Sequence, residues 1–169
     1  GRLVVVHGGG DAVSELQRAR GLEPRFVGGR RVTTADDVDL LRMALSGLAN
    51  KQLVAALLAA GVPAVGLSGE DGVLLEAAPT TDARLGQVGE FVAPAGDAPD
   101  ALGASARAAG RVGGRVNVAL LALLVGAGYC PVVSPVSAST AARGVALNVN
   151  GDDAAAAVAA AIGAAELFF

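Results

Sequence analysis

Tryptophan is absent from the 169 residues, and cysteine, histidine, methionine, lysine and isoleucine occur once each. The lone Cys130 excludes a disulfide framework and any cysteine-based zinc site. A dominant charge is also missing: 13 basic against 16 acidic residues leave a net charge of −3. The basic residues are spread rather than clustered, which argues against nucleic acid as a partner. No basic segment followed by an apolar stretch and a cleavage site opens the chain, so no signal peptide is expected. The longest uncharged stretch, Val116 to Ala142, is long enough to raise a membrane span. Asn117, Pro131, Pro135, four Ser/Thr residues and two glycines within it instead read as helix, turn and strand. A soluble, cytoplasmic chain without a membrane partner is therefore expected.

What is present is small and apolar. Residues classed as hydrophobic make up 53%, and the 24 glycines raise the share to about two thirds, above the roughly 45–50% of an ordinary domain. That excludes a disordered chain. The skew of 12 Arg to one Lys and 23 Val to one Ile has the imprint of a GC-rich genome and carries no functional weight.

The apolar run Leu3–Val6 breaks into His7-Gly8-Gly9-Gly10 and suits a strand buried on both faces. Helical spacing follows over Asp11–Arg20, and Phe26–Val32 reads as a hairpin around Gly28-Gly29. Thr34 caps a long helix over Ala35–Ala60 that Gly61 and Pro63 end. Strands are predicted at Ala64–Leu67, Val73–Ala77, Pro131–Val133 and Gly144–Val149, and a last one begins at Glu166–Phe169. Helices are predicted at Asn117–Gly126 and Asp152–Ala161. Residues 79–115 read as hairpins and loop. The alternation predicts an α/β fold, a three-layer α/β/α sandwich with a largely parallel central sheet.

Three places could carry chemistry. Gly8-Gly9-Gly10 between a strand and a helix lets backbone N–H groups approach an anion, or makes a tight corner. It is neither a Walker loop nor a dinucleotide fingerprint. In Gly29-Arg30-Arg31-Val32-Thr33, a hairpin arginine beside a helix start can hold a carboxylate, or be a solvated loop residue. In Asn148-Val149-Asn150-Gly151-Asp152-Asp153, alternating amides at a strand end and acids at a helix start suit a small polar ligand, or a capped helix. His7 is a conceivable base but fits a backbone-bonded residue better. Cys130 reads as a buried hydrophobe and Lys51 as a surface residue. No metal ligand is assigned.

The order of these pieces is more specific than any one of them. Val5–Gly10, Gly29–Thr33, Ala44-Leu45-Ser46-Gly47-Leu48-Ala49-Asn50-Lys51, Ala64–Gly72, Gly110-Arg111-Val112-Gly113, Ala127–Val133 and Asn148–Asp152 follow one another as in the acetylglutamate kinases. The sequence resembles that branch of the amino-acid kinase family over nearly its whole length.

The resemblance implies transfer of the γ-phosphoryl of ATP, bound with Mg2+, to the side-chain carboxylate of N-acetyl-L-glutamate, a step of arginine biosynthesis. It places backbone N–H groups of Gly8, Gly9 and Gly10 near the transferred phosphoryl and the reacting carboxylate. It places Arg31 on the α-carboxylate and Asn148 and Asn150 on the N-acetylamino acid. Asp152 matches the carboxylate that orients catalytic lysines. Such roles suit phosphoryl transfer, which needs positioning and charge neutralisation more than covalent chemistry. It further implies a homodimer paired through helix 35–60, with a higher oligomer open. Departures accompany the match. The family's first strand carries a Lys-x-Gly-Gly motif and its second half another lysine, whereas Lys51 matches neither; residues 83–109 look longer than the usual hairpin, and Gly151 replaces an alanine. The expectation is an acceptor-substrate lobe, residues 1–169, inactive alone because the first strand and nucleotide-binding half are missing. Two readings stay beside it: a kinase for carrier-linked aminoadipate in lysine biosynthesis, and a non-catalytic lobe that binds an acidic amino acid or assembles.

Overall fold

The computed structural model describes residues 2–91 and 114–169. Strand β1 (Val5–Val6) runs through the glycine turn into α1 (Gly10–Ala19), and the hairpin β2 (Phe26–Val27) and β3 (Arg30–Arg31) follows. One long helix comes next, made of α2 (Ala35–Leu41), a π-helical stretch (Arg42–Ala49) and α3 (Asn50–Ala59). Then come β4 (Ala64–Gly69), a 3-10 turn (Asp71–Val73), β5 (Leu75–Pro79) and β6 (Gly89–Glu90). β7 (Gly114–Val116), α4 (Val118–Gly126), β8 (Cys130–Ser139), β9 (Ala146–Asn148) and α5 (Gly151–Ile162) complete the described elements.

β8 is the spine of a 7-stranded sheet. It pairs in parallel with β1, β4 and β5, and antiparallel with β9. β6 and β7 add antiparallel ladders to β5, so the sheet is mixed, and among the described residues its parallel ladders all lie on β8. The nearly unbroken burial of β8 is what a strand covered by helices on both faces requires. Its side chains alternate accordingly. Val133 joins Leu75, Leu121, Leu147, Ala154 and Val158 beneath α4 and α5. Val132 packs with Val54 and Leu57 of α3, and Val136 with Val13, Leu41 and Leu45 of α1 and the long helix. These are the three expected layers.

Local chemistry explains the elements. Gly28 and Gly29 both have positive φ, 55° and 79°, as a two-residue hairpin turn of the twist-matching kind demands. Thr34 accepts from Asp37 N while Asp37 accepts from Thr34 N, a reciprocal cap that starts the long helix where the sequence placed it. Asn117 caps α4.

Two elements depart from expectation. β8 continues six residues past Val133, through Pro135, because the register with β4 slips there: Ser68 faces Ser134, but Gly69 faces Ser137. The bulge takes up the proline, whose missing N–H would otherwise break the ladder. Residues 166–169 form no strand; they have no ladder partner among the described residues, and Phe168 and Phe169 are 82% and 83% exposed. Gly110–Gly113 and residues 92–109 of the long 83–109 segment lie outside the described residues.

Candidate functional site

A cleft of about 510 Å³ opens at the carboxyl end of β1. Its walls are the glycine turn, the β2–β3 hairpin, Leu41 and Leu45 of the long helix, Pro135 at the β8 bulge, and the segment Asn148–Asp152. Gly8, Gly9, Gly10, Arg31, Asn148, Asn150 and Asp152, named from the sequence at separations of up to 144 positions, all line it.

The glycine turn is built for close approach. Gly9 has φ 149°, and a Cβ there would lie 2.8 Å from Leu45 Cδ2, so backbone sits directly on the long helix. As N-cap of α1, Gly9 has no side chain to cap with, so the first N–H groups of α1 keep their donor capacity at the cleft. By contrast, Asn150 spends its Oδ1 on the N–H groups of Asp152 (2.8 Å) and Asp153 (3.0 Å). Its amide NH2 is the part left to meet a ligand. Gly151, the departure from the family pattern, packs its Cα side against Gly8, where a Cβ would still find 3.5 Å. Asp152 stands exposed in the first turn of α5, favourably placed against the helix dipole.

Arg31 is 8% exposed and lies within a polar cage. Its Nη2 donates to Gly10 O and to Ser14 Oγ, both at 2.7 Å, and its Nη1 to Gln17 Oε1. The Phe26 ring covers its Cζ at 4.8 Å. Gln17 Nε2 in turn donates to Asp37 Oδ1 at 2.8 Å, which fixes the amide with its oxygen toward Arg31. Burial pulls the guanidinium below the arginine norm, and the charge of Asp37 opposes that pull. Burial also pushes Asp37 upward, but hydrogen bonds from Thr34 and Gln17 outweigh it and hold the carboxyl below its usual range. The neighbouring Arg30 is different: it is paired with Glu90, which also accepts from Thr80 Oγ1 at 2.8 Å. Asn148 donates Nδ2 to Thr33 Oγ1 at 3.0 Å, leaving Oδ1 to accept a hydrogen bond.

The sequence alone left out Ser14, Gln17, Asp37 and Thr33. Ser14 and Gln17 carry a readable signal, polar residues three apart on the same side of α1 as buried Val13. Asp37 read only as an acid in a first helical turn. Among the described residues no group of His, Cys, Asp and Glu could hold a metal ion, and no helix is long and apolar enough to cross a membrane.

Comparison with known proteins finds relatives along the whole chain. An acetylglutamate kinase of Geobacillus kaustophilus is 42% identical over 167 residues, 99% of this chain and 55% of that protein. The Methanopyrus kandleri acetylglutamate kinase is 42% identical over 170 residues, covering 97% and 59%. The crystal structure of smu.665 from Streptococcus mutans superposes with a TM-score of 0.76 at 26% identity, over 96% of this chain and 57% of that one. The chain thus spans a little over half the length of these relatives. The model of the amino acid kinase family matches residues 1–169. A curled sheet with helices on both faces, a glycine turn at its edge and relatives along the whole sequence agree, and the chain belongs to the amino acid kinase family.

Proposed function

We propose that this chain is the acceptor-binding lobe of an N-acetyl-L-glutamate kinase, which moves the γ-phosphoryl of ATP to the side-chain carboxylate in arginine biosynthesis. The observation that carries the reading is the state of Arg31. Of the charged side chains lining the cleft, Arg30 is paired with Glu90 and Asp152 is an acid, whereas Arg31 is a buried cation held, among the described residues, by neutral groups alone. Among the described residues three of its five N–H groups are used, which leaves two for an anion. A ligand carboxylate supplies the missing countercharge.

The rest of the cleft matches an N-acylated dicarboxylate. Asn148 Oδ1 accepts the acylamino N–H, an interaction that a free α-ammonium group would replace with a charge. The N–H groups of Gly8, Gly9 and Gly10 meet the second carboxylate and the phosphoryl delivered to it, where negative charge builds up. Asn150 adds its amide NH2, and Asp152 orients the cations that neutralise the phosphoryl. ATP arrives with Mg2+ as the second substrate, and no metal ligand is asked of this lobe.

Calorimetric titration tests the reading. N-acetyl-L-glutamate should bind, while L-glutamate and N-acetyl-L-glutamine should bind at least about tenfold more weakly, each losing one matched group worth roughly 1.4 kcal/mol or more. Equal binding of all three, or none by the first, defeats the proposal. Tighter binding of the N-acylated aminoadipate homologue transfers it to that acceptor. The long helix also presents Met43, Leu48, Leu53 and Leu58, 37–56% exposed, and we assign that face to pairing of two copies.

A further inference from the structure

Behind the glycine turn lies a polar cluster whose side chains do not line the cleft. The His7 N–H continues the β1 ladder to Val133 O at 3.0 Å. Its ring reaches two partners: Nδ1 lies 2.8 Å from Gly8 O, and Nε2 lies 3.0 Å from Asn50 Nδ2. Asn50, at the start of α3, is fully buried. Its Nδ2 also lies 2.9 Å from Val132 O and 3.3 Å from Leu67 O, and its Oδ1 accepts from Lys51 Nζ at 3.0 Å. This approach of helix to sheet is built into the sequence at Gly66, where a Cβ would stand 2.0 Å from Asn50 Oδ1.

These contacts decide the state of the ring. Two carbonyl oxygens beside one atom of Asn50 identify that atom as the NH2, which only donates. That NH2 shares two hydrogens among three neighbours and has no lone pair to accept with, so Nε2 faces it without a proton. Gly8 O only accepts, so Nδ1 must carry the proton. Both edges of the imidazole therefore specify one neutral tautomer. A second proton would set Nε2–H against the NH2 with no acceptor between them.

The consequence follows from peptide geometry. The Gly8–Gly9 peptide is trans, as every described peptide is, so the Gly8 C=O and Gly9 N–H point in opposite directions. A ring that holds Gly8 O behind the turn aims the Gly9 N–H toward the cleft. We propose that His7, fixed by Asn50 as the neutral Nδ1–H tautomer, is a positioning residue that aims the Gly9 N–H, and that protonation of His7 releases it. The turn it aims is the anion-binding element of the acceptor site proposed above, and the last arm of the test alone rests on that reading.

Of the charges around the ring, that of Lys51 favours the neutral form. Lys51 of α3 faces it; β8 contributes only uncharged residues there; α1 carries Asp11 in its first turn, and α5 begins against Gly8 with Asp152 and Asp153. Burial, then the charge of Lys51, pulls the imidazole below the ordinary histidine value, against the bond to Gly8 O.

Because His7 is the sole histidine, one imidazole system appears in long-range 1H–15N spectra of the labelled chain. The expected result is the Nδ1–H tautomer at pH 7.5, a midpoint below that of an ordinary histidine, and a Gly9 amide that shifts with the same midpoint. His7→Asn keeps a side-chain N–H but cannot titrate, so its Gly9 amide should stay still. An Nε2–H tautomer, a Gly9 amide that ignores the ring, or one that still titrates in His7→Asn overturns the relay without any ligand being present. If His7→Asn does not fold, the wild-type ring and amide signals decide alone. In wild type the Kd for N-acetyl-L-glutamate should weaken below the midpoint toward about tenfold per pH unit, as for a binding-competent state that is being depleted, and stay flat in His7→Asn. The same pH dependence in both proteins overturns the coupling of the ring to the acceptor. No binding by wild type at any pH defeats the acceptor reading, while the ring and amide signals still decide the relay.

Discussion

Replacing Arg31 separates what the cleft binds from what keeps the chain folded. In Arg31→Met a similar volume stays beneath Phe26, but the cation and its two unused N–H groups go. A ligand carboxylate then loses one or two charge-assisted bonds of about 1.5–3 kcal/mol each. A loss of about 3 kcal/mol corresponds to more than about 100-fold in Kd. The fold gives up three bonds from the same cation, worth about 1.5–3 kcal/mol net apiece. Against this stands relief from burying a cation that lacks a carboxylate partner, a penalty of several kcal/mol per ion in general. The downward pull of burial on the guanidinium has the same origin. The opposing effects are of similar size, so Tm should stay within about 4 °C of wild type. Arg31→Lys keeps the charge, but one ammonium cannot serve Gly10, Ser14, Gln17 and a ligand together, and about a tenfold loss is expected. Calorimetry with N-acetyl-L-glutamate and thermal melts of the three proteins provide both readouts. An unchanged Kd in Arg31→Met refutes the assignment. A fall in Tm well beyond 4 °C that accompanies the lost binding makes Arg31 a structural organiser instead.

Three further perturbations follow from other places. Val73 is half-exposed and is held at φ 51°, a region that costs a β-branched L-residue about 1–2 kcal/mol. Val73→Gly should keep about half of that relief after a backbone-entropy cost of about 0.5–1 kcal/mol, raising Tm by about 1–4 °C; a lower Tm contradicts it. Asp37 titrates below its unfolded value, so its stabilising contribution is complete above that value and is lost as pH falls through the folded one. Asp37→Asn should therefore be less stable at pH 7 and lose less further stability on acidification than wild type, as urea titrations at pH 7 and 3 will show; parallel losses refute the linkage. Leu48→Glu combined with Leu58→Glu should convert a dimer to monomers by sedimentation velocity, with the Kd for the acceptor unchanged. A monomeric wild type, or a double variant that still pairs, removes the helix from the interface.

The sequence made the elements legible wherever a local rule was sufficient. Thr34 with Asp37, and Gly28 with Gly29, are complete instructions within four residues, and both are obeyed. Pro135 misled because the rule against proline in a central strand is local, whereas the register slip that admits it depends on β4, nearly seventy positions earlier. The cleft-lining residues were found through the order of motifs, each of which was ambiguous alone. Gln17 and Asn50 were not found, because each looks like an ordinary helical amide until Arg31, or Val132 and His7, is folded against it.

The π-helical stretch is what allows one helix to serve both sides of the turn. Asp37 anchors the line through Gln17 to Arg31, and Asn50 anchors the line to His7. In an uninterrupted α-helix, positions 13 apart are about 220° out of phase, so one of the two would face away from the sheet. Each π turn accommodates roughly one extra residue, and the eight residues Arg42–Ala49 make about two turns. That returns about 100–200° of phase and brings the two positions toward a common face. Both are in fact buried there, Asp37 at 7% and Asn50 at 0% exposure. Ser46, in the middle of the stretch, is tied to buried Ser134 of β8 by a 2.7 Å hydrogen bond, which docks the irregular turn onto the central strand. The helix therefore holds the Arg31 line and the glycine-turn line in fixed relation to each other. A ligand with one carboxylate on each needs that relation.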